Sequence, residues 1–187
     1  MRIVAGRHRG RNLSGPAGRN VRPTADRARQ ALFDILGHGN FEDFSLEDAV
    51  VLDGFCGSGA LGLEALSRGA RHAVFMDSDR AALELVRANV RSLGEDEHAT
   101  LLLADATRPP KADRPCNLVL LDPPYGSGLA TPSLAALADN GWLAQGAIAV
   151  AEIGAREDFT APQGFEVLQE RKYGAGKFAI LRYHGRG

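Results

Sequence analysis

Cysteine, aromatic residues and long apolar runs are all scarce in this chain. Its 187 residues include two cysteines, too few for a disulfide framework, and no C-x-x-C pair marks a zinc site. The five histidines are scattered without metal-ligand spacing, so no metal is expected. No apolar stretch approaches the roughly 20 residues that span a bilayer. The opening Met1-Arg-Ile-Val-Ala-Gly-Arg-His-Arg lacks the apolar core of a secretory signal. A cytoplasmic protein without membrane attachment is the expectation. There is no internal repeat and no dividing linker, and the length suits one domain. With 44% hydrophobic and 24% charged residues, the composition is that of an ordinary globular protein.

Net charge is also nearly missing, at −1, but the balance conceals a division. Residues 1–30 carry eight arginines (2, 7, 9, 11, 19, 22, 27 and 29) against one acid, Asp26, and no lysine. The remainder carries 14 basic and 22 acidic side chains. A basic arm on an acidic body is a common layout for proteins that bind nucleic acid. Arginine favours forked bonding to phosphate; the plainer alternative is a solvated run of charge. Residues 1–13 are predicted to form a short β-hairpin around Gly6 and Gly10, followed by a helix over 25–37. Thr24 reads as the N-cap, Ala28, Ala31, Leu32 and Ile35 as the apolar face, and Gly37 as the end. Arg27 and Arg29 then fall in the first turns, where the helix dipole makes an exposed cation cost about 0.3–1 kcal/mol. A docked phosphate would offset that cost. Arg22, Arg27 and Arg29 are therefore expected to touch a nucleic-acid backbone, with Arg7, Arg9, Arg11 and Thr24 as further substrate-binding candidates.

The chain is richest where apolar runs end in acids. Leu118-Val-Leu-Leu-Asp-Pro-Pro-Tyr125 reads as a buried strand ending in a carboxylate, two rigid prolines and a ring. The prolines remove two backbone donors and leave the carbonyls of Asp122 and Pro123 as acceptors. Such a corner suits a flat molecule carrying N–H groups, although a strand and a Pro-rich turn would look the same. Ala49-Val-Val-Leu-Asp53 is a second such strand, running into Gly54-Phe-Cys-Gly57-Ser-Gly59-Ala-Leu-Gly62 and then an amphipathic helix. Gly57, Gly59 and Gly62 satisfy G-x-G-x-x-G, a weak signal alone. Cys56 in this turn stands where a thiol's pKa can fall, although a small residue suffices there. Two more strands end in Asp77 and Asp105. One acid at a strand end is usually a turn-former; four in succession, Asp53, Asp77, Asp105 and Asp122, are hard to explain as turns.

The pattern predicts strand 49–53, helix 59–68, strand 72–77, helix 79–93, strand 100–104, strand 117–121, helix 130–139, strand 147–152 and closing strands near 165–171 and 177–183. Alternation of this kind implies an α/β fold: a Rossmann-like, doubly wound, mostly parallel sheet with helices on both faces. Ligands bind such sheets at the carboxyl ends of the strands.

With L-D-x-F-x-G-S-G-A-L-G-L-E-A-L-S-R-G-A, the acid at Asp77 and L-D-P-P-Y on the page, the chain resembles the class I S-adenosylmethionine-dependent methyltransferases. More narrowly it is similar to the RsmD type, which methylates the exocyclic N2 of one guanine in small-subunit (16S) ribosomal RNA. The resemblance includes the opening Met1–Arg11 and Arg22-Pro-Thr-Ala-Asp-Arg-Ala-Arg-Gln-Ala-Leu-Phe33 and extends to the closing Phe178-Ala-Ile-Leu-Arg182. It departs from the family pattern at Gly54 and Cys56, where Leu and Ala stand, at Gln30 in place of Glu, and at Gly176-Lys177 in place of an uncharged pair. The resemblance implies a seven-stranded sheet with one antiparallel strand near the edge. It also implies one methyltransferase domain over 1–187, with residues 1–40 as a basic RNA-binding extension and 45–187 as the catalytic core.

In that reading Asp122 and Pro123 accept the N–H groups of the target amine and Tyr125 stacks on its base, beside Pro124; a surface-anchoring ring is the duller reading of Tyr125. Asp77 takes the ribose hydroxyls of S-adenosylmethionine, and Asp105 its adenine amino group. The backbone around Gly57 and Gly59 admits the methionine moiety, with Asp53 near its ammonium; Phe55, Ser78 and Ala106 complete the cofactor set. S-adenosylhomocysteine leaves as product. A carboxylate offers only acceptors to guanine's N1–H and N2–H2 edge, whereas an Asn amide would better match adenine. The expected partner is 16S ribosomal RNA in an assembling or assembled small subunit, and the expected state is a monomer. Other readings remain: a nicotinamide-dependent oxidoreductase, a methyltransferase of adenine N6 or protein glutamine, and an RNA-binding assembly factor without catalysis.

Overall fold

The computed structural model describes residues 1–15, 23–39, 41 and 44–185, the side chains of 23 and 24 excepted. In chain order the elements are α1 (Pro23–His38), β1 (Val50–Gly54), α2 (Ala60–Ser67), β2 (His72–Asp77), α3 (Arg80–Leu93), β3 (Ala99–Leu103), β4 (Cys116–Leu121), α4 (Ala130–Asp139), β5 (Leu143–Gly154), β6 (Phe165–Tyr173) and β7 (Gly176–Tyr183). The strands form a seven-stranded sheet in the order β3-β2-β1-β4-β5-β7-β6. The first five are mutually parallel, and β7 runs antiparallel to both β5 and β6. The order turns back between β1 and β4. That switch point opens a crevice at the strands' carboxyl ends.

Strand alternation divides the core into two layers. Val51, Phe75, Leu118, Leu120, Ile148, Val150 and Ile180 face α1, α2 and α3, packing on Leu32, Phe33, Leu63, Leu66, Val86 and Val90. Leu52, Met76, Val119, Leu121, Ala149 and Leu181 point the other way, onto Leu134 and Leu137 of α4 and onto Trp142. Among the described residues α-helices thus lie on both faces, but unequally, three against one. Pro109, Pro110 and Pro115 explain part of the asymmetry: each removes a donor from the β3–β4 crossover and keeps it from being helical. The crossover is anchored instead by Trp142, whose indole N–H donates to the Pro110 carbonyl at 2.8 Å.

Two local expectations need correction. Helix α1 begins at Pro23, so Thr24 lies within its first turn rather than at the cap; proline suits a first helical position, where no N–H is needed. Residues 1–13 do not form a hairpin of paired strands. One isolated antiparallel bridge, Arg2 to Asn12, closes the loop. Ile3 donates across it to the Arg11 carbonyl and Leu13 to the Met1 carbonyl, each at 2.9 Å, while Val4 and Ala5 donate to the Glu64 carboxylate of α2 at 2.8 and 3.0 Å, and Arg7 to the Ser67 carbonyl at 2.8 Å. Ile3 and Leu13 are buried by the same docking. No described helix is long and apolar enough to cross a membrane.

Candidate active site

The crevice starts with the turn after β1. Phe55 (φ 57°) and Gly57 (φ 52°) are left-handed, and Gly59 (φ 77°) heads α2. The three glycines of the motif serve different ends. A Cβ on Gly57 would meet nothing nearer than the Phe55 carbonyl at 4.0 Å, so space beside this turn is open. A Cβ on Gly59 would press on Phe75 and Val86 at 3.2 Å, and one on Gly62 would collide with Phe75. Those two glycines let α2 close onto the sheet. Asp53, only 1% exposed, accepts the Gly62 N–H at 2.8 Å. Burial pushes its carboxyl well above the ordinary range; the Gly62 bond opposes this, and Asp122 and Asp77 add to it. In this structure Asp53 is a strut for the glycine loop, closed to solvent. Cys56 is likewise buried, and burial pushes its thiol up, away from a reactive thiolate.

Asp77 and Asp105 stand at the next two strand ends, both half-buried. Asp77 accepts the Gly57 N–H and the Asp79 N–H, each at 2.9 Å, one on either oxygen. It therefore ties the glycine turn to β2 and keeps spare lone pairs. Ser78 beside it is exposed. Asp105 is fixed by the Thr107 hydroxyl and N–H at 2.7 and 2.8 Å, and these bonds hold its carboxyl below the usual carboxylate range. Ala106 is buried, and Phe55 half-buried, against the layer that holds α4.

On the far side of the switch point lies the D-P-P-Y turn. The Asp122 N–H points to the Gly54 carbonyl at 3.4 Å, joining the two strand ends. Pro123 is buried and Pro124 exposed, and the Pro124 carbonyl accepts the Ser127 N–H at 3.2 Å. Asp122 keeps an open edge to the crevice. Protein crowds it nonetheless, and that loss of hydration, with the Glu152 carboxylate adding, lifts it to about 7. Tyr125 is 53% exposed and its hydroxyl donates to Glu152 at 2.6 Å. Glu157 grips the same turn by its backbone, accepting the N–H groups of Gly126, Gly128 and Gly154 at 2.9, 3.3 and 3.1 Å.

A carboxylate–proline–aromatic corner beside a glycine turn is the arrangement anticipated for a methyltransferase, and comparison with known proteins agrees. The family model described as "Conserved hypothetical protein 95" matches residues 1–182. The ribosomal RNA small subunit methyltransferase D of Escherichia coli K12 is 34% identical over 100% of this chain and 92% of that protein. Its counterpart in Haemophilus influenzae is 32% identical over 97% of this chain and 93% of its own. The chain belongs to the RsmD family. A solved methyltransferase structure from Escherichia coli, 34% identical, covers 100% of this chain and 99% of that one with a TM-score of 0.82.

This RsmD-family chain uses its basic arm differently from the expectation. Arg29 is 5% exposed, and its guanidinium bonds Asp26 at 2.9 Å and the Arg2 carbonyl and lies 3.6 Å from Glu64. In this structure it is a buried, paired cation. Arg7 makes a forked pair with Glu95 at 2.8 and 2.7 Å, and Arg11 donates to the Ser92 carbonyl at 2.6 Å. Arg9 and Arg27 are exposed, on a hollow of about 600 Å³ that Arg2, Asn12, Asp26 and Gln30 also line. Arg22 and the Thr24 side chain lie outside the described residues. Lys177, a departure from the family pattern, is buried and paired with Glu170 at 3.1 Å. Gly54, another departure, fits because a Cβ would strike Leu121 at 2.6 Å.

The residue reading missed Glu152, Glu157, Tyr173 and Gly176. Glu152 had a signal: Ala147–Ile153 is apolar but for this acid, the same apolar-run-and-acid pattern that marked the four aspartates.

Proposed function

We propose that this protein transfers a methyl group from S-adenosylmethionine to the exocyclic N2 of a guanine in small-subunit (16S) ribosomal RNA. The observation that carries this reading is the placement of Asp122-Pro-Pro-Tyr125 at the end of β4, beside the end of β1 that leads into the glycine turn, with the Asp122 N–H 3.4 Å from the Gly54 carbonyl. The donor set fits the methyl donor: the turn leaves room beside Gly57, while Asp77 and Asp105, each already oriented by backbone bonds, keep lone pairs for ribose hydroxyls and an adenine amino group. When bound, S-adenosylmethionine supplies an electrophilic methyl on a sulfonium. Asp53 holds the loop that receives it, and Phe55, Ser78 and Ala106 flank it.

The remaining work belongs to the chain. Guanine N2 is a poor nucleophile because its lone pair is delocalised into the ring. The Asp122 carboxylate and the Pro123 carbonyl accept its two N–H groups, which favours a more tetrahedral nitrogen and stabilises developing positive charge. Holding N2 in line with the methyl supplies the rest as orientation. A paired base cannot enter such a corner, so it arrives unstacked or flipped out. Stacking on Tyr125 is worth about 1–3 kcal/mol. No step calls for a metal ion. Residues 1–40 form the RNA-binding extension of one catalytic unit over 45–187, which acts as a cytoplasmic monomer on RNA within an assembling or assembled small subunit.

The test is incubation with labelled S-adenosylmethionine and hypomethylated small subunits, followed by nucleoside analysis. Label is expected in N2-methylguanosine, and Asp122→Ala is expected to lose the rate while keeping S-adenosylmethionine affinity. Label in methyladenosine or in protein glutamine would reassign the acceptor. Tight RNA binding with no label at all would make the protein an assembly factor.

A further inference from the structure

Glu152 has no place in the chemistry derived so far, yet it stands beside it. The β4–β5 register pairs Leu121 with Ala151, so Asp122 and Glu152 occupy the next step on neighbouring parallel strands. By strand alternation Glu152 faces the same side as Ile148 and Val150, the side of α1–α3. Its carboxylate accepts the Tyr125 hydroxyl at 2.6 Å.

The hydroxyl sits in a shaped socket. A Cβ built on Gly176 would come within 2.7 Å of the Tyr125 hydroxyl and 2.9 Å of the Tyr173 hydroxyl. Gly176 is not in the left-handed region, so its backbone does not require glycine; the two phenol heads require the space. Tyr173 is itself held by its ring, stacked on Phe178 at 4.3 Å. Tyr125 thus has a ring that is more than half exposed and a tip that is fixed. A large aromatic side chain on a turn rich in glycine would otherwise sample several rotamers.

On the reading of Asp122 as the base-binding corner, we propose that Glu152 is a positioning residue for the target base: it holds the Tyr125 hydroxyl, in a socket bounded by Tyr173 and Gly176, and so sets the ring face against which the base stacks. The same carboxylate also acts on Asp122. The ionisable groups around Asp122 are Asp53 of β1, Glu152 of β5 and Tyr125 of its own turn, with Tyr173 of β6 beyond Glu152. Among these, Glu152 is the charge that helps raise Asp122.

Four variants test this on small subunits, with KM for the subunit, kcat, S-adenosylmethionine affinity and the pH–rate profile as readouts. Tyr125→Phe and Glu152→Ala should each raise KM about three- to tenfold, the factor one hydrogen bond is worth, with S-adenosylmethionine affinity unchanged. Together they should cost no more than the worse single change, because both break one contact. Glu152→Gln keeps an oxygen for the phenol and drops the charge. It should raise KM less than Glu152→Ala does and move the midpoint of the pH–rate profile downward. Gly176→Ala fills the socket against two side-chain ends rather than backbone, displacing the Tyr125 tip, so it should fold and still raise KM; it stands in if Glu152→Ala does not fold. Multiplying effects of Tyr125→Phe and Glu152→Ala, or an unmoved pH midpoint in Glu152→Gln, would overturn the proposal. Loss of the base-binding reading itself looks different: Asp122→Ala would then retain methylation whatever the Glu152 variants do.

Discussion

At the scale of single residues the consequential one is Asp122. With its carboxyl raised to about 7, Asp122 at lower pH would present, in the proposed pose, an O–H to a guanine edge made of donors. Methylation should therefore rise with pH through that point. Stability should respond in the opposite sense. A carboxyl whose folded pKa is raised contributes stability at low pH and loses it as pH climbs through about 7. Asp122→Asn is thus expected to raise the melting temperature at pH 8 and to change it little near pH 3.5, read by differential scanning calorimetry. A like shift at both pH values would refute the assignment. Arginines separate by the same kind of reasoning. Arg29→Ala removes a buried partner of Asp26 and Glu64 and should cost on the order of 3 kcal/mol, with residual RNA affinity intact in the folded fraction. Arg27→Glu, at an exposed position, should leave stability nearly unchanged and weaken RNA binding. The four aspartates were legible because each closes an apolar run, a pattern local to a few residues. The fate of the arginines was not, since Arg7 meets Glu95 across 88 positions and a charge count carries no partner.

At the scale of elements, strands and helices followed from period and punctuation. The central strands β1 and β4 are buried on both faces over residues 50–52 and 118–121 and read there as apolar runs, whereas the edge strands β3 and β6 are mixed. The N-terminal loop turns back as its glycines signal but builds no ladder of strands, since the donors of Val4 and Ala5 are claimed by Glu64 of α2, roughly 60 positions away. The same kind of remote claim holds the D-P-P-Y turn. Glu157 accepts three N–H groups around it, and those bonds, that from Gly126 foremost, hold its carboxyl below the ordinary range. Glu157→Ala should loosen the turn: faster amide exchange over residues 126–128, and kcat/KM lower by about tenfold, the penalty of modest misplacement. Unchanged exchange there would show that the prolines alone fix the turn.

At the scale of the molecule, the basic arm is not a tail. Arg7, Arg11 and Arg29 fasten it to an acidic body, through Glu95, Ser92 and Glu64, and Arg2, Arg9 and Arg27 remain outward among the described residues. The logarithm of RNA affinity should fall with that of salt at a slope of about −0.7 per phosphate neutralised on a single strand. Removing Arg9 or Arg27 should flatten that slope by about one such step. Removing Arg7 should leave the slope alone and lower stability, because its charge is already answered by Glu95. Equal flattening by all three would mean that the arm lets go of the body when it meets RNA.

Met1 receives a hydrogen bond from the Ser58 hydroxyl at 3.3 Å, one residue beyond Gly57. If the N-terminal segment meets nucleic acid and the glycine loop receives the methyl donor, as proposed, this contact ties the two sites together. A displacement of one by its ligand would then change the free energy of the other, and thermodynamic reciprocity would make the effect equal in both directions. Occupancy of the two sites becomes a single conversation: titration of either ligand with and without the other should return the same ratio of dissociation constants.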